Sequence, residues 1–227
     1  TTDTTQHSVQ LTRSMDYYNP NAALGISNAQ VTLNWDNNSL ELIENDTIPG
    51  KYQTPATFFG IPNTIYRLSI ENVDIDGDGT TETYEAESKL NPINPIDSIG
   101  IKSYPERDRI AIRLWAQDSI SKDFYMIRGL KNGVLMTDSL REWGVTDDAF
   151  FNGNSTNGID VVRLDQTRDD EKLVPGDLIE LEVASITEEY YKFISECIIA
   201  TDFQTPLFST TPGNVRSNFN NECLCHV

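Results

Sequence analysis

Apolar and polar residues alternate along most of this chain with the period of β-strands. In HSVQLTRS, Val9 and Leu11 stand between polar neighbours, which predicts a half-buried strand. AQVTLNW places Val31, Leu33 and Trp35 on one face. After the turn residues Asp36, Asn37 and Asn38, SLELIEN does the same with Leu40 and Leu42, so the two segments predict a hairpin. GKYQTP follows, then a break at Gly60 and Pro62, then TIYRLSIENV with Ile65, Tyr66, Leu68 and Ile70, then TETYEAESKL as the returning strand. Strands at this spacing predict a small immunoglobulin-like or transthyretin-like β-sandwich over residues 1–95. The prolines Pro92 and Pro95 of LNPINP favour extended backbone and interrupt sheet pairing, which puts a domain boundary near residue 95.

Residues 96–227 repeat the pattern in a larger β domain. DSIGIKSY and RIAIRLWAQ read as strands, the second alternating Ile110, Ile112 and Leu114, with Trp115 out of phase. KDFYMIRGLKNGVLMTDS reads as two strands about Asn132-Gly133, a dipeptide that tolerates the positive φ of a type I′ turn. VTDDAFFNG, DVVRLD and DLIELEVASI add strand-like runs, the last two separated by an acidic loop at Asp169, Asp170 and Glu171. Beyond Ile186 the period becomes helical. Thr187 is placed to cap one late helix over about 187–203, with Tyr190, Tyr191, Ile194, Cys197 and Ile198 broadly on one face.

Composition narrows the function classes. Seventeen basic against 35 acidic residues give a net charge of −18, which repels nucleic acid and anionic membrane surfaces and favours cation binding. A hydrophobic content of 38% with strong periodicity marks a folded chain rather than a disordered one. No apolar run approaches the length of a membrane span, and Thr1 reads as the start of a processed or trimmed chain. Cys197, Cys223 and Cys225 do not make a disulfide framework. The three N-glycosylation triplets, at Asn37, Asn45 and Asn154, are of the kind that arises by chance in an Asn-rich chain.

One segment carries a chemistry in its spacing. Asp74 to Glu85, DIDGDGTTETYE, fits the calcium-loop pattern throughout: Asp74, Asp76 and Asp78 as carboxylate ligands, Gly79 at the sharp turn, the Thr80 carbonyl, and Glu85 closing the shell. Because the pattern lies between two predicted strands and not two helices, Glu85 falls where side chains alternate across a sheet, and Glu82 is the alternative ligand. Ca2+ is the cofactor expected here. The competing reading is a solvated hairpin tip, since Asp and Gly suit turns. At the far end, Cys223, Cys225 and His226 have the chemistry of zinc or copper ligands, but three so close rarely complete a tetrahedral shell, and a frayed terminus is the expectation. Cys197 is expected as a small buried hydrophobe. His7 and His226 are the two histidines, both near termini, which argues against a Ser/His/Asp or Cys/His arrangement. Among the aromatics, Tyr17, Tyr18 and Trp143 lie in predicted loops and are the ligand-contact candidates; Trp35, Trp115, Phe150 and Phe151 are explained equally well by packing.

The order of GKYQTP, IYRLSI, IDSI, DDAFFNG, GDLIELEVASITEEYYKF and PLFSTTPGNVRSNFNN resembles the Bacteroidetes family known as domain-of-unknown-function family 4249, over nearly the whole chain. DDAFFNG and TTPGNVRSNFNN are its most specific phrases here. Within DDAFFNG, Asp147, Asp148, Asn152 and Gly153 are family-like and suit a turn. The family usually begins with a lipoprotein signal and an acylated cysteine, and usually ends in an NGALGYF-like strand where this chain reads NNECLCHV. The resemblance implies an outer-membrane lipoprotein working beside a TonB-dependent receptor of the SusC type, with membrane attachment through a lipid anchor that this chain lacks. It implies no substrate.

The expected function is therefore a non-enzymatic cell-surface lipoprotein that captures a ligand, a glycan or a peptide, or serves as an accessory subunit in nutrient uptake. A glycan-acting hydrolase and a calcium-stiffened adhesion module are the alternatives. A deep aromatic-lined pocket favours a ligand binder, a large apolar patch favours a partner surface, and two carboxylates across a cleft favour the hydrolase.

Overall fold

The computed structural model describes residues 1–13, 23–74, 78–137, 139–201 and 215–220. The chain is mainly β, with thirteen strands and one α-helix among the described residues. It divides into two compact units, residues 1–91 with 216–227, and residues 92–215.

The first unit contains β1 (Ser8–Gln10), β2 (Gln30–Trp35), β3 (Asn38–Glu44), β4 (Lys51–Gln53), β5 (Ile65–Val73) and β6 (Glu82–Lys89). They pair antiparallel in the order β1-β4-β3-β2-β5-β6. Register explains the core. Leu42, Val31, Ile70 and Tyr84 are direct partners across four neighbouring strands, so alternation turns all four to one face. Leu40, Leu33, Leu68 and Ala86 form the next row on that face. The sheet curls so that Tyr52 of β4 joins the same cluster. The Tyr52 hydroxyl accepts from the Ala29 N–H at 2.9 Å and donates to the Ile26 carbonyl at 3.0 Å, which satisfies a polar group that is 1% exposed. The cluster is closed by Phe219, whose backbone bridges to Ala86, while Asn220 exchanges hydrogen bonds with the Glu85 backbone. The end of the described chain thus returns to the first unit, whereas the sequence pattern assigned everything beyond the linker to the second.

The second unit contains β7 (Ile96–Tyr104), β8 (Arg109–Ala116), β9 (Phe124–Lys131), β10 (Val134–Leu135), β11 (Gly144–Asp147), β12 (Ile159–Asp165), β13 (Ile179–Ile186) and α1 (Glu188–Thr201). One sheet has the order β12-β8-β7; in the other, β9 carries β13 on one edge and β10 and β11 on the other. Ile112, Val162 and Leu164 from the first sheet meet Ile127 and Met136 from the second side in a buried cluster. Asn132 and Gly133, at φ 53° and 77°, form the predicted hairpin turn, although β10 runs for two residues only. Gly158 is required where it stands, since a Cβ there would lie 2.4 Å from the Trp115 ring. Thr187 caps α1 by accepting from the Tyr190 N–H at 3.2 Å. The helix buries Ile194 and Cys197 and sets Tyr191 against Phe124, ring centroids 5.0 Å apart. Burial pushes the Cys197 thiol above its ordinary pKa, the opposite of what a nucleophile requires.

Candidate functional site

At one end of the second unit, two connections are tied together. The first leaves β8 and runs through Asp118, Ser119, Ile120, Ser121 and Lys122 to Asp123; the second leaves β11 and contains DDAFFNG. Backbone bonds join them: Asp118 N–H to the Asn154 carbonyl at 3.0 Å, Gly153 N–H to the Ser119 carbonyl at 2.7 Å, and Asp148 N–H to the Asp123 carbonyl at 3.2 Å. The Asp148 carboxylate returns the last bond by accepting from the Asp123 N–H at 3.0 Å. Only Gly144–Asp147 of this stretch is strand, because Phe151 and Asn152 turn back to donate to the Asp148 carbonyl, each at 2.8 Å.

This folding gathers three acids. Asp118, Asp123 and Asp148 each offer a carboxylate oxygen within 4.8 Å of the others, and Asp148 is 1% exposed. Neutral donors surround them. Asp118 accepts from the Tyr125 hydroxyl at 2.6 Å, the Asn94 amide at 3.4 Å and the Gly153 N–H at 3.3 Å, and Asp123 accepts from Ser119 at 2.6 Å and Ser121 at 3.0 Å. Among the described residues no lysine or arginine pairs with any of the three. Such a group has the donor chemistry of a hard-cation site. Burial, and then the neighbouring Asp118 carboxylate, raises Tyr125 well above the usual tyrosine range, so its hydroxyl stays a donor.

Asp118 and Tyr125 also line a partly open cavity of about 410 Å³ between the two sheets. Its walls are mostly apolar: Leu114 and Ala116 from β8, Ile127 from β9, Val145 from β11, Ile159 from β12 and Val183 from β13. Phe150 and Phe151 stand at it as well. Phe151 lies 6.4 Å from Tyr125 between ring centroids, and Phe150 is 98% exposed. Ile120, on the other connection, is 89% exposed. The two tied loops therefore hold bare apolar side chains at the same end of the unit.

The model of a family described as a domain of unknown function, DUF4249, matches residues 1–223. The chain belongs to the DUF4249 family. No curated protein and no solved structure matches it. In this DUF4249 chain, DDAFFNG, one of the phrases that carried the resemblance, supplies Asp148 to the acidic group and Phe150 and Phe151 to the cavity.

The calcium-pattern segment of this DUF4249 member lies in the first unit, as the connection between β5 and β6. Its turn is built on its own side chains: Gly79 N–H donates to Asp74 at 3.1 Å and Thr80 N–H to Asp78 at 2.7 Å. Asp76 lies outside the described residues. Glu82 opens β6 opposite Val73, and Glu85 pairs with Ser69, about 10 Å farther along the strand at ~3.3 Å per residue. Tyr84 is buried, so its neighbour Glu85 faces the other side of the sheet and is exposed. Among the described residues, no three of these acids come together as Asp118, Asp123 and Asp148 do.

Of the aromatic candidates, Tyr17 and Tyr18 lie outside the described residues. Trp143 ends a short 3-10 turn, donates its indole N–H to the Thr137 carbonyl at 3.0 Å and is stacked by Arg128 at 5.3 Å; it does not line the cavity. Cys223, Cys225 and His226 are outside the described residues. His7 packs edge-on against Phe58, and burial lowers its pKa, keeping it neutral. Sequence reading missed Asn94, Asp118, Asp123 and Tyr125; the last three fall within 118–125, a stretch that carries no ligand-spacing pattern. Among the described residues no helix is long and apolar enough to cross a membrane.

Proposed function

We propose that this protein is a non-enzymatic ligand-capture component of a cell envelope and that its ligand sits in the second unit. The cavity carries the reading. At about 410 Å³ it falls within the ~300–1,000 Å³ range of small-ligand pockets, and it joins apolar walls to a few converging polar groups, Asp118, Tyr125 and Asn94. Phe150, which stands at the cavity and is 98% exposed, gives an entering ligand its first apolar contact. Capture is preferred to glycan hydrolysis because, of the two acids that line the cavity, Asp160 is committed to Tyr104 at 2.8 Å and Arg113 at 3.4 Å, which leaves Asp118 without a free opposing carboxylate. In this reading the partner is a TonB-dependent receptor of the SusC type, reached through lipid anchoring at the outer membrane, as the family resemblance implies.

Gentle extraction from the native envelope followed by native mass spectrometry tests the proposal. The expected result is a small molecule retained by the wild-type chain and absent from Ala116→Phe, which fills the cavity from its β8 wall. A wild-type chain that carries and takes up no small molecule would sink the capture reading. Fractionation that leaves the protein out of the outer membrane would sink the assigned location.

A further inference from the structure

Resting on the cavity as the ligand site, we propose that it selects a molecule with an apolar body and a cationic head, an ammonium or guanidinium group, which meets the Asp118 carboxylate beside the Tyr125 and Phe151 rings. Charge is the first support. Asp118 is 7% exposed, and its partners Tyr125, Asn94 and Gly153 are all neutral donors. Asp123 and Asp148 add negative charge within 4.8 Å. Among the described residues, no Lys, Arg or His lines the cavity. The nearest basic side chain in the sequence, Lys122, is directed to Glu188 at 3.8 Å and over the Phe124 ring at 4.8 Å. A buried carboxylate without a counter-ion is costly, and an entering cation removes that cost while gaining a charge-assisted bond. An anionic head meets repulsion instead.

The rings are the second support. Tyr125 and Phe151 are inclined by 32° and flank the carboxylate end of the cavity, and aromatic faces attract alkylammonium groups. The walls are the third, since Leu114, Ala116, Ile127, Val145 and Val183 offer an incoming tail no polar partner. A hydrated metal ion would satisfy the acids but leave those walls empty. An alkylammonium ion uses both ends of the site.

Calorimetric titration of the full chain with octylammonium, octanol and octanoate, below their aggregation concentrations, provides the test. Octylammonium should bind at unit stoichiometry at least about tenfold tighter than octanol, the difference between a charge-assisted and a neutral hydrogen bond, and octanoate should bind weakest. Asp118→Asn should bring octylammonium to the level of octanol and leave octanol unchanged. Phe151→Ala should reduce the ammonium-to-alcohol ratio a few-fold. If Asp118→Asn does not fold, the ranking on the wild-type chain decides. Octanol or octanoate binding as tightly as octylammonium overturns the head-group selection and leaves the cavity as a ligand site. Failure of all three to bind removes both. Because the chain carries a net charge of −18, octylammonium binding that persists in Ala116→Phe would be surface adsorption and would also overturn the proposal.

Discussion

Among the described residues, the first unit gathers its inward side chains into one buried cluster, and the second holds a cavity beside its own. In the first, the rungs of the curled sheet send Leu42, Val31, Ile70 and Tyr84 inward in one row, and Tyr52 and Phe219 pack in the same cluster. In the second, the inward positions of β8 run from Ile112 in the packed cluster through Leu114, of equal size, to the small Ala116. Gly144 of β11 stands opposite Ile127, and Thr156 spends its hydroxyl on the Ala116 N–H at 3.0 Å and the Leu114 carbonyl at 2.8 Å. The walls stay apolar while their volume falls. A cavity is therefore written in side-chain size, with the same alternation of polar and apolar residues that writes a filled core.

The sharpest way to break this contrast is to remove volume from the filled side. Tyr52→Ala should cost about 3–5 kcal/mol in urea unfolding, as truncation of a buried aromatic does; a loss below about 1 kcal/mol would mean that the first unit is not closed. At the acidic group, Asp148→Ala deletes the acceptor of the Asp123 N–H and should cost about 1–3 kcal/mol. The exposed Asp78→Ala in the hairpin should stay within about 0.5 kcal/mol. Equal costs would erase the distinction between a structural acidic cluster and a solvated one.

Adding volume should have the reverse asymmetry. Ala116→Phe should change stability by less than about 1 kcal/mol because space exists for the ring, whereas Val31→Phe, at 0% exposure, should cost about 1–3 kcal/mol by overpacking. The smallest effect concerns pH. Burial raises Tyr52 and Tyr125 above their ordinary values, so the folded state holds both protons more tightly than the unfolded chain. The resulting stability is complete below the unfolded value near 10 and declines as pH rises through it. Thermal midpoints should hold up to about pH 9 and fall from about pH 10 upward, and Tyr125→Phe should make the fall shallower.

The strands were legible because alternation is local. Val31, Leu33, Leu40, Leu42, Leu68 and Ile70 could be placed on one face from spacing alone, and Thr187 announced its helix. The functional end was not legible for the opposite reason. Asp118 and Asp148 are 30 positions apart in the chain and meet only when the β8–β9 connection is tied to DDAFFNG, through bonds made largely by backbone groups that no side-chain pattern records. The calcium pattern shows the converse. Its spacing is contiguous, but where its side chains stand depends on the hairpin: the antiparallel ladder carries Glu85 down the strand and onto the other face from Tyr84, leaving Glu82 as the nearer acid, and Asp76 lies outside the described residues. Resemblance to the family was legible throughout, and DDAFFNG was already distinguished before its place at the cavity was known.

The return of Phe219 to the first unit has a consequence for biosynthesis. Its place against Ala86 and Tyr84 is filled only after the 124 residues of 92–215 have followed the first unit out of the ribosome or the export channel. Through that interval the outer edge of β6 has its hydrogen-bonding groups at Glu85 unpartnered by Asn220, and a bare strand edge invites pairing with another nascent chain. Of the two units, the one that comes first in the chain is thus the last to be finished, and a chaperone that shields β6 would act until residues 216–220 arrive.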